Sequence, residues 1–433
     1  MKEKKSVYQS RREAFMSKIH NGAAIFGSPR GSARHRYRQD SNLFYLTGFK
    51  EQESICVLAP DHPEHKFVLF VRPRDKQKEI WNGKRVGPEG AKDKYGPDIA
   101  YSLDDLDKEL PKYFEKVENI YYTIGTAEKL DKRVIGLLKD FRGKRYESCS
   151  GPVSIIDPAE TIRNMRAIKD THEIGLMRRA ADISSEAHIA AMKSIKPGMY
   201  EYEIQAIIEY HFLKNGAEPS YTTIAGAGAN ATCLHYSVNE CRIKDGDLLL
   251  VDAGAEYEHY SGDITRTYPA NGKFSDVQRE LYNIVLDAQM AAIEAIKPGV
   301  KIDEYHKKAV QVIVDGLMGL GLLKGDREKI IQEKEYEKFY MHNTGHWLGL
   351  DTHDVGQRKI EDEARPFEAN MVVTVEPGIY IAEDMEEVEE KYRGIGIRIE
   401  DDVLVTEDGN EVLTEEVPKK IADVEEIIKR RKS

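Results

Sequence analysis

Short apolar runs alternate with amphipathic stretches through the first 160 residues of the chain. The runs Ile55–Leu58 and Phe67–Val71 are each followed within two residues by a proline. Apolar runs of about four to eight residues next to such breakers favour buried strands, so this pattern predicts an α/β domain. Gly151-Pro152 and Asp157-Pro158 then interrupt the pattern. We therefore expect one domain at 1–160 and a second at 161–433.

The second domain contains an internal repeat. Apolar residues recur at helical spacing through 169–193, and Ile-Lys-Pro-Gly precedes a helical pattern at 195–198 and again at 296–299. The runs 248–254 and 372–378 are also alike, because each is an apolar strand pattern with a carboxylate near its end. The sequence predicts an α+β domain made of two helix-and-strand units related by a pseudo-twofold axis.

Composition and charge exclude several classes of function. The 433 residues are 40% hydrophobic and 32% charged, as in globular proteins, and the net charge of -11 disfavours nucleic acid and anionic membranes as partners. No signal-peptide pattern and no apolar run of about 18 residues is present, which predicts a cytoplasmic protein. The cysteines are few and scattered, so we expect reduced thiols; they are Cys56, Cys149, Cys233 and Cys241.

Four carboxylates occupy positions that strands usually give to apolar side chains: Asp252, Asp263, Glu376 and Glu400. One of them alone would be explained as an exposed strand-end residue or a helix cap. Buried together they are costly unless cations balance them. Two divalent ions would balance the four negative charges and leave room for one neutral ligand, for which His346 is the natural candidate.

The predicted ligand set also indicates the metal and the reaction. One imidazole with four carboxylates suits Mn²⁺, Co²⁺, Fe²⁺ or Zn²⁺, and the excess of oxygen ligands favours Mn²⁺. Two ions about 3.5 to 4 Å apart would polarise a carbonyl and lower the pKa of a bridging water. The predicted chemistry is hydrolysis.

Several motifs of this chain resemble those of the creatinase, or pita-bread, metallopeptidases, and within them the Xaa-Pro aminopeptidases. They lie at 38–49, 342–349, 375–378 and 394–401. The resemblance implies a pita-bread catalytic domain and an exopeptidase that releases the N-terminal residue of peptides with proline in second position, by attack of a hydroxide that bridges two metal ions. It also implies a homodimer or homotetramer, in which the N-terminal domain contributes to oligomerisation and closes the active site.

The same resemblance implies a role for each predicted ligand. Asp252 would bind one ion, His346 and Glu376 the other, and Asp263 and Glu400 would bridge the two. Glu376 would also accept the proton of the bridging water, which its position at the metal permits on general-base grounds.

Further residues around this centre are implied to contact the substrate. His235 and His353 match each other in the two repeats and would bind the substrate carbonyl and the tetrahedral intermediate; the alternative for each is a structural core histidine. His342 would lie in the pocket for proline. Arg398 and Glu400 are two residues apart, so we expect them on the same face of one strand, from which the guanidinium could reach a metal-bound carboxylate or Tyr380; the alternative is a solvated strand arginine.

Trp81 lies beside a predicted Asn-Gly turn, where a large ring would be poorly buried. The resemblance implies that Trp81 closes the active site or lies in a subunit interface. Ordinary packing within its own domain is the alternative.

Two other functions fit parts of the pattern. A prolidase shares the catalytic fold but accepts Xaa-Pro dipeptides alone, so substrate length separates the two enzymes. Some pita-bread domains are metal-free modules that bind peptides or proteins, but those typically lack ligand residues that this chain has. A dedicated pocket suits proline, because its tertiary amide has no N–H and its φ is fixed.

Overall fold

The computed structural model describes residues 6–29, 31, 36–144 and 151–430. Cys149 lies outside these residues, and the other three cysteines are free thiols. The backbone divides into two compact units, Met1–Met165 and Arg166–Ser433. The division falls inside one helix, α7 (Ala159–Ala167). No helix in the described residues is long and apolar enough to cross a lipid bilayer.

The N-terminal unit is built on a mixed six-stranded sheet. Its strands are β1 (Gly22–Gly27), β2 (Ile55–Leu58), β3 (Phe67–Val71), β4 (Ile99–Ser102), β5 (Asn119–Tyr121) and β6 (Ser154–Ile156). Its helices are α1 (Val7–Met16), α2 (Ser41–Thr47), α3 (Lys76–Asn82), α4 (Gly87–Tyr95), α5 (Leu106–Glu109) and α6 (Glu128–Lys144). The strand order is β4-β3-β2-β1-β5-β6, and β2 pairs antiparallel with both of its neighbours. The two strands predicted from the apolar runs are observed at their predicted bounds.

The region around Trp81 differs from the sequence prediction. Asn82 ends helix α3, and Gly83 (φ 82°) caps that helix by donating its N–H to the Glu79 carbonyl oxygen. The predicted Asn-Gly turn is therefore a helix end, where a glycine with positive φ is equally favoured. Trp81 and Ile80 are 85% and 81% exposed. The prediction that the Trp81 ring is poorly buried is correct, but its reason was wrong.

The C-terminal unit pairs long helices with several small sheets. Its helices are α8 (Thr171–Ser194), α9 (Glu201–Lys214), α10 (Asp276–Ala295), α11 (Glu304–Gly319), α12 (Arg327–Gln332) and α13 (Ile421–Lys429). Its strands are β7 (Glu218–Pro219), β8 (Ile224–Ala227), β9 (Leu248–Asp252), β10 (Ala255–Tyr257), β11 (Tyr260–Ser261), β12 (Thr265–Pro269), β13 (Lys359–Ile360), β14 (Glu363–Ala364), β15 (Val372–Val375), β16 (Gly378–Ile381), β17 (Ile395–Arg398), β18 (Asp401–Val405) and β19 (Asn410–Val412).

The predicted duplication is visible in this unit. Each half has a packed helix pair, α8 with α9 and α10 with α11, and a three-stranded antiparallel sheet, β8-β9-β12 in the first half and β15-β18-β19 in the second. One apolar core runs through both halves and includes strand residues such as Val251 and Val375, which are fully buried. The ends of the two sheets are thereby fixed relative to each other.

A candidate metal centre and substrate cavity

A cavity of about 790 Å³ opens into the C-terminal unit. It is lined by all five residues predicted to bind metal: Asp252, Asp263, His346, Glu376 and Glu400. It is also lined by four of the residues predicted to contact substrate: His235, His342, His353 and Arg398. The two halves of the repeat thus contribute to one site.

Strand pairing brings the carboxylates together. Asp252 is the last residue of β9 and pairs with Thr265 of β12. Asp263 precedes Thr265 by two residues, so it lies at the same end of this strand pair. In the other half Val375 pairs with Asp401, so Glu376 and Glu400 lie at the adjacent ends of β15 and β18.

A hydrogen bond joins the halves, because the Glu400 N–H donates to the Thr265 carbonyl oxygen at 3.0 Å. Glu400 itself lies between β17 and β18 rather than within the strand of Arg398, which corrects the prediction of one shared strand face. Arg398 and Glu400 line the same cavity nonetheless.

Potential ligand atoms are close to each other. Asp263, His346 and Glu400 each place one ligand atom within 4.8 Å of the other two. His346 Nε2 lies 3.5 Å from Asp263 Oδ2 and 3.6 Å from Glu376 Oε1. These distances leave the imidazole nitrogen and the carboxylates free to share a cation.

Local contacts fix the orientation of His346. Its Nδ1–H donates to the Trp347 carbonyl oxygen at 2.9 Å, which leaves Nε2 to act as the ligand atom. The loop that carries it packs directly on β15, with the Thr374 N–H donating to the His346 carbonyl oxygen. A Cβ at Gly345 would collide with the Thr374 carbonyl oxygen, so this close approach requires glycine. His342 and His346 are four residues apart but lie outside any helix, so they do not form a helical zinc motif of the His-x-x-x-His type.

The carboxylates have hydrogen-bond partners behind them. The Tyr221 hydroxyl lies 2.6 Å from Asp252 Oδ1 and 2.5 Å from Asp263 Oδ1, the Arg398 guanidinium donates to Asp252 Oδ2 at 2.6 Å, and the Thr265 hydroxyl donates to Glu400 Oε2 at 2.6 Å. Each contact restricts a carboxylate rotamer, as partners of metal ligands usually do.

The charge balance of the cavity fits bound cations. Burial raises the pKa of Asp252, raises that of Glu376 to about 7 and holds that of Glu400 well above its usual value. Burial lowers the pKa of His346, but the hydrogen bond and charge of Asp263 raise it overall to about 9. The carboxylates thus hold more negative charge than their surroundings compensate, which is the environment that divalent ions stabilise.

The predicted substrate residues occupy distinct walls of the cavity. The buried Tyr380 hydroxyl lies 2.8 Å from His342 Nε2 and accepts a hydrogen bond from Arg398 at 3.0 Å, so it supports the wall from behind. The rings of His346 and His353 are 4.3 Å apart at their centroids, edge to face. Burial lowers the pKa of His342 to about 4 and also lowers that of His353, so both imidazoles are neutral near pH 7.

The loop that carries His235 is organised around a buried carboxylate. Glu201 accepts hydrogen bonds from the backbone N–H groups of Ala227 and Cys241 and from the side chains of Asn230 and Tyr236, at 2.8 to 2.9 Å. Both carboxylate oxygens are therefore used within the loop.

Other residues belong to the site but carry no sequence pattern that would reveal them. Tyr221, Asp351 and Arg358 line the cavity, and Arg358 also donates to the Gly345 carbonyl oxygen at 2.7 Å. They lie on loops without periodicity, and their roles depend on contacts between distant parts of the chain. Trp81, by contrast, is not among the described residues that line this cavity.

Two family models match this chain. The model described as metallopeptidase family M24 matches residues 175–407, and that described as the N-terminal domain of aminopeptidase P matches residues 8–121. The first match contains all five predicted ligands.

Individual proteins are similar over nearly the whole length. A Xaa-Pro aminopeptidase of Escherichia coli K12 is 42% identical over 429 residues, 97% of each chain. The solved structure of aminopeptidase PepP from Pseudomonas aeruginosa has a TM-score of 0.96 at 44% identity and covers 98% of both chains. A zinc-substituted E. coli aminopeptidase P in complex with product has a TM-score of 0.95 at 41% identity, covering 99% of this chain and 98% of that one.

Proposed function

This chain belongs to metallopeptidase family M24, and we propose that the cavity described above is its active site, with two divalent ions held by the five predicted ligands. The predicted fold class is confirmed: an α/β N-terminal domain precedes a pita-bread catalytic domain. The predicted reaction is confirmed too. The protein is a metal-dependent hydrolase that releases the N-terminal residue from peptides with proline in second position.

The observation that carries the assignment of the active site is the convergence of the five ligands in one cavity. When bound, the ions supply Lewis acidity toward the scissile carbonyl and lower the pKa of a water molecule. Zinc was bound in the E. coli enzyme solved with product. For this chain we propose manganese, because four of its five ligands are carboxylates.

The protein groups have separate tasks in this proposal. Asp252 would hold one ion, His346 and Glu376 the other, and Asp263 and Glu400 would hold both. Glu376 takes the proton of the attacking water on its carboxylate.

Three histidines of the cavity act on the substrate. His235 and His353 donate to the carbonyl oxygen as negative charge develops on it. His342 contributes to the pocket for proline, held by Tyr380, which in turn contacts Arg398.

We also propose that the chain divides into domains at about residue 160. In this proposal the N-terminal domain contributes to oligomerisation and closes the active site. The exposure of Trp81 and Ile80 supports this part of the proposal, because adjacent large apolar side chains are rarely left in water without a partner. We propose that helix α3 contacts another copy of the chain in a homodimer or homotetramer.

The ligand assignment is tested with Asp263→Asn, which removes a proposed bridging charge while keeping the side-chain volume. Hydrolysis should be abolished and the metal content should fall, while circular dichroism stays unchanged. Asp287→Asn, an exposed substitution on α10, is the matched control and should keep both activity and metal. An Asp263→Asn variant with full activity would contradict the proposed bridging role.

A further inference from the structure

Three charged side chains next to the cavity are almost completely buried. Arg166, Lys169 and Asp354 have side-chain exposures of 2%, 1% and 1%. With the half-exposed Asp351 they form a cluster of two positive and two negative charges. Burying ions is costly and adds little net stability, so such a cluster invites a functional explanation.

The Arg166 guanidinium group holds both ends of the four-residue segment 351–354. Arg166 Nη2 donates to Asp351 Oδ2 at 2.6 Å, and the same nitrogen donates to Asp354 Oδ1. Lys169 Nζ donates to the other oxygen, Asp354 Oδ2, at 3.3 Å. Both carboxylates lie more than 180 positions along the chain from Arg166, so no local structure would bring these groups together.

The held segment carries His353. Residues 351–353 line the cavity, and they belong to neither a helix nor a strand. A backbone bond from the Asp354 N–H to the Trp347 carbonyl oxygen, at 2.9 Å, holds the far end of the segment. The position of the His353 ring, edge-on to His346, therefore depends on how firmly this segment is held.

The chain also leaves space for the cluster. A Cβ at Gly349 would collide with the Asp354 carboxylate and would lie 3.1 Å from Lys169 Cε. A side chain at position 349 would therefore push the carboxylate away from its partners. The Lys169 N–H donates to the Asn370 carbonyl oxygen at 2.9 Å, which ties the cluster to the chain just before β15.

We propose that Arg166 is a positioning residue for hydrolysis: by bridging Asp351 and Asp354 it fixes the segment that presents His353 to the substrate. The proposal rests on the function assigned to the cavity above, in which His353 contacts the developing oxyanion. Arg166 itself touches no substrate. Its loss should mobilise the segment and leave the metal ligands in place, because none of them belongs to 351–354.

The test compares Arg166→Met with wild type in the full-length, metal-loaded protein. Amide hydrogen exchange of a peptide covering 347–356 should become faster by about tenfold, since a bridge at both ends is lost. The value of kcat for a proline-containing tripeptide should fall about 10- to 100-fold, as expected when a group that stabilises the transition state is displaced by about 1 Å. KM and the metal-to-protein ratio should change less than about threefold.

Two further variants separate positioning from general loss of stability. Arg166→Lys keeps a positive charge beside the two carboxylates, so it should recover part of kcat. Val314→Ala creates a cavity in the fully buried face of α11 and should lower the melting temperature without changing kcat.

If Arg166→Met does not fold, the double variant Lys169→Met with Asp354→Leu takes its place. It removes one charge of each sign and leaves Arg166 unable to hold the second end of the segment, so the same changes in exchange and kcat are expected.

Unchanged exchange at 347–356 would overturn the proposal, and so would faster exchange with kcat within about twofold of wild type. Equal loss of metal and activity would overturn it as well, because it would indicate collapse of the whole site. Hydrogen exchange can be measured without turnover, so it tests whether Arg166 holds residues 351–354 even if the protein has no peptidase activity. Failure of the proposed function would instead be revealed by an inactive wild-type protein.

Discussion

The Tyr221 hydroxyl contacts both Asp252 and Asp263, and a conservative substitution can remove it. It lies 2.6 Å from one carboxylate and 2.5 Å from the other, yet it has one hydrogen to donate. Its contact with both metal ligands should help to hold their carboxylates in the orientation that binds metal. Tyr221→Phe deletes this hydroxyl and keeps the ring.

The size of the effect follows from the type of hydrogen bond. A bond to a charged acceptor contributes about 1.5 to 3 kcal/mol, and a tenfold change in affinity corresponds to about 1.4 kcal/mol. We expect Tyr221→Phe to weaken metal binding about 10- to 150-fold, similar to the range known for partners of metal ligands. At saturating metal the kcat should recover most of its wild-type value.

The assay is a titration of metal-free protein with Mn²⁺, followed by calorimetry and by activity. The control is Tyr268→Phe on β12, which removes a buried hydroxyl that has no hydrogen-bond partner among the described residues and should leave metal affinity unchanged. Metal affinity within about twofold of wild type in Tyr221→Phe would refute the reasoning that this hydroxyl orients the two ligands.

Three further outcomes are expected. In the presence of a metal chelator at pH 8, Glu400→Gln should melt at a higher temperature than wild type. Burial raises the pKa of Glu400, so its ionisation destabilises the metal-free fold as pH rises above about 4.5. With metal bound, the order of the two melting temperatures should reverse. Burial lowers the pKa of His188 to about 4. In the presence of chelator, the contribution of the neutral His188 to the free energy of unfolding is therefore fully present above about pH 6.5. About 3 kcal/mol of this free energy should be lost as pH falls through 4. His188→Gln, which can still donate to the Ala253 carbonyl oxygen, should reduce this pH dependence by one proton; an unchanged slope in urea titrations would refute the assignment. Glu201→Gln turns an amide N–H₂ toward groups that already donate hydrogen bonds. The variant should therefore lose about 1 to 3 kcal/mol of unfolding free energy in urea and show faster hydrogen exchange at 228–241. Unaltered exchange would show that Glu201 does not organise that loop.

Local patterns in the sequence predicted those parts of the fold that depend on burial. Strands β2 and β3 coincide with their apolar runs, and helix α8 spans Thr171–Ser194 where helical spacing was found at 169–193. The carboxylates were recognisable because Asp252 ends one mostly apolar strand and Glu376 directly follows another. Burial of a charge is visible in a sequence when its neighbours all favour the core.

Contacts between distant residues could not be predicted in this way. Tyr221 precedes Asp252 by 31 positions and contacts it next to the pairing of β8 with β9, and Arg166 contacts Asp354 from 188 positions earlier in the chain. Neither residue lies in a periodic pattern. The Asn-Gly pair after Trp81 shows a second limit, because a glycine with positive φ serves a tight turn and a helix end equally well.

The most direct test of the account is product analysis with Mn²⁺-loaded protein, offering Arg-Pro-Pro and Gly-Pro side by side. The account predicts release of arginine from the tripeptide at a rate that far exceeds hydrolysis of Gly-Pro, and no release by Asp263→Asn. Cleavage confined to Gly-Pro would contradict it in favour of a dipeptidase, and hydrolysis of neither peptide by the metal-loaded protein would contradict the assignment of this cavity as a peptidase site.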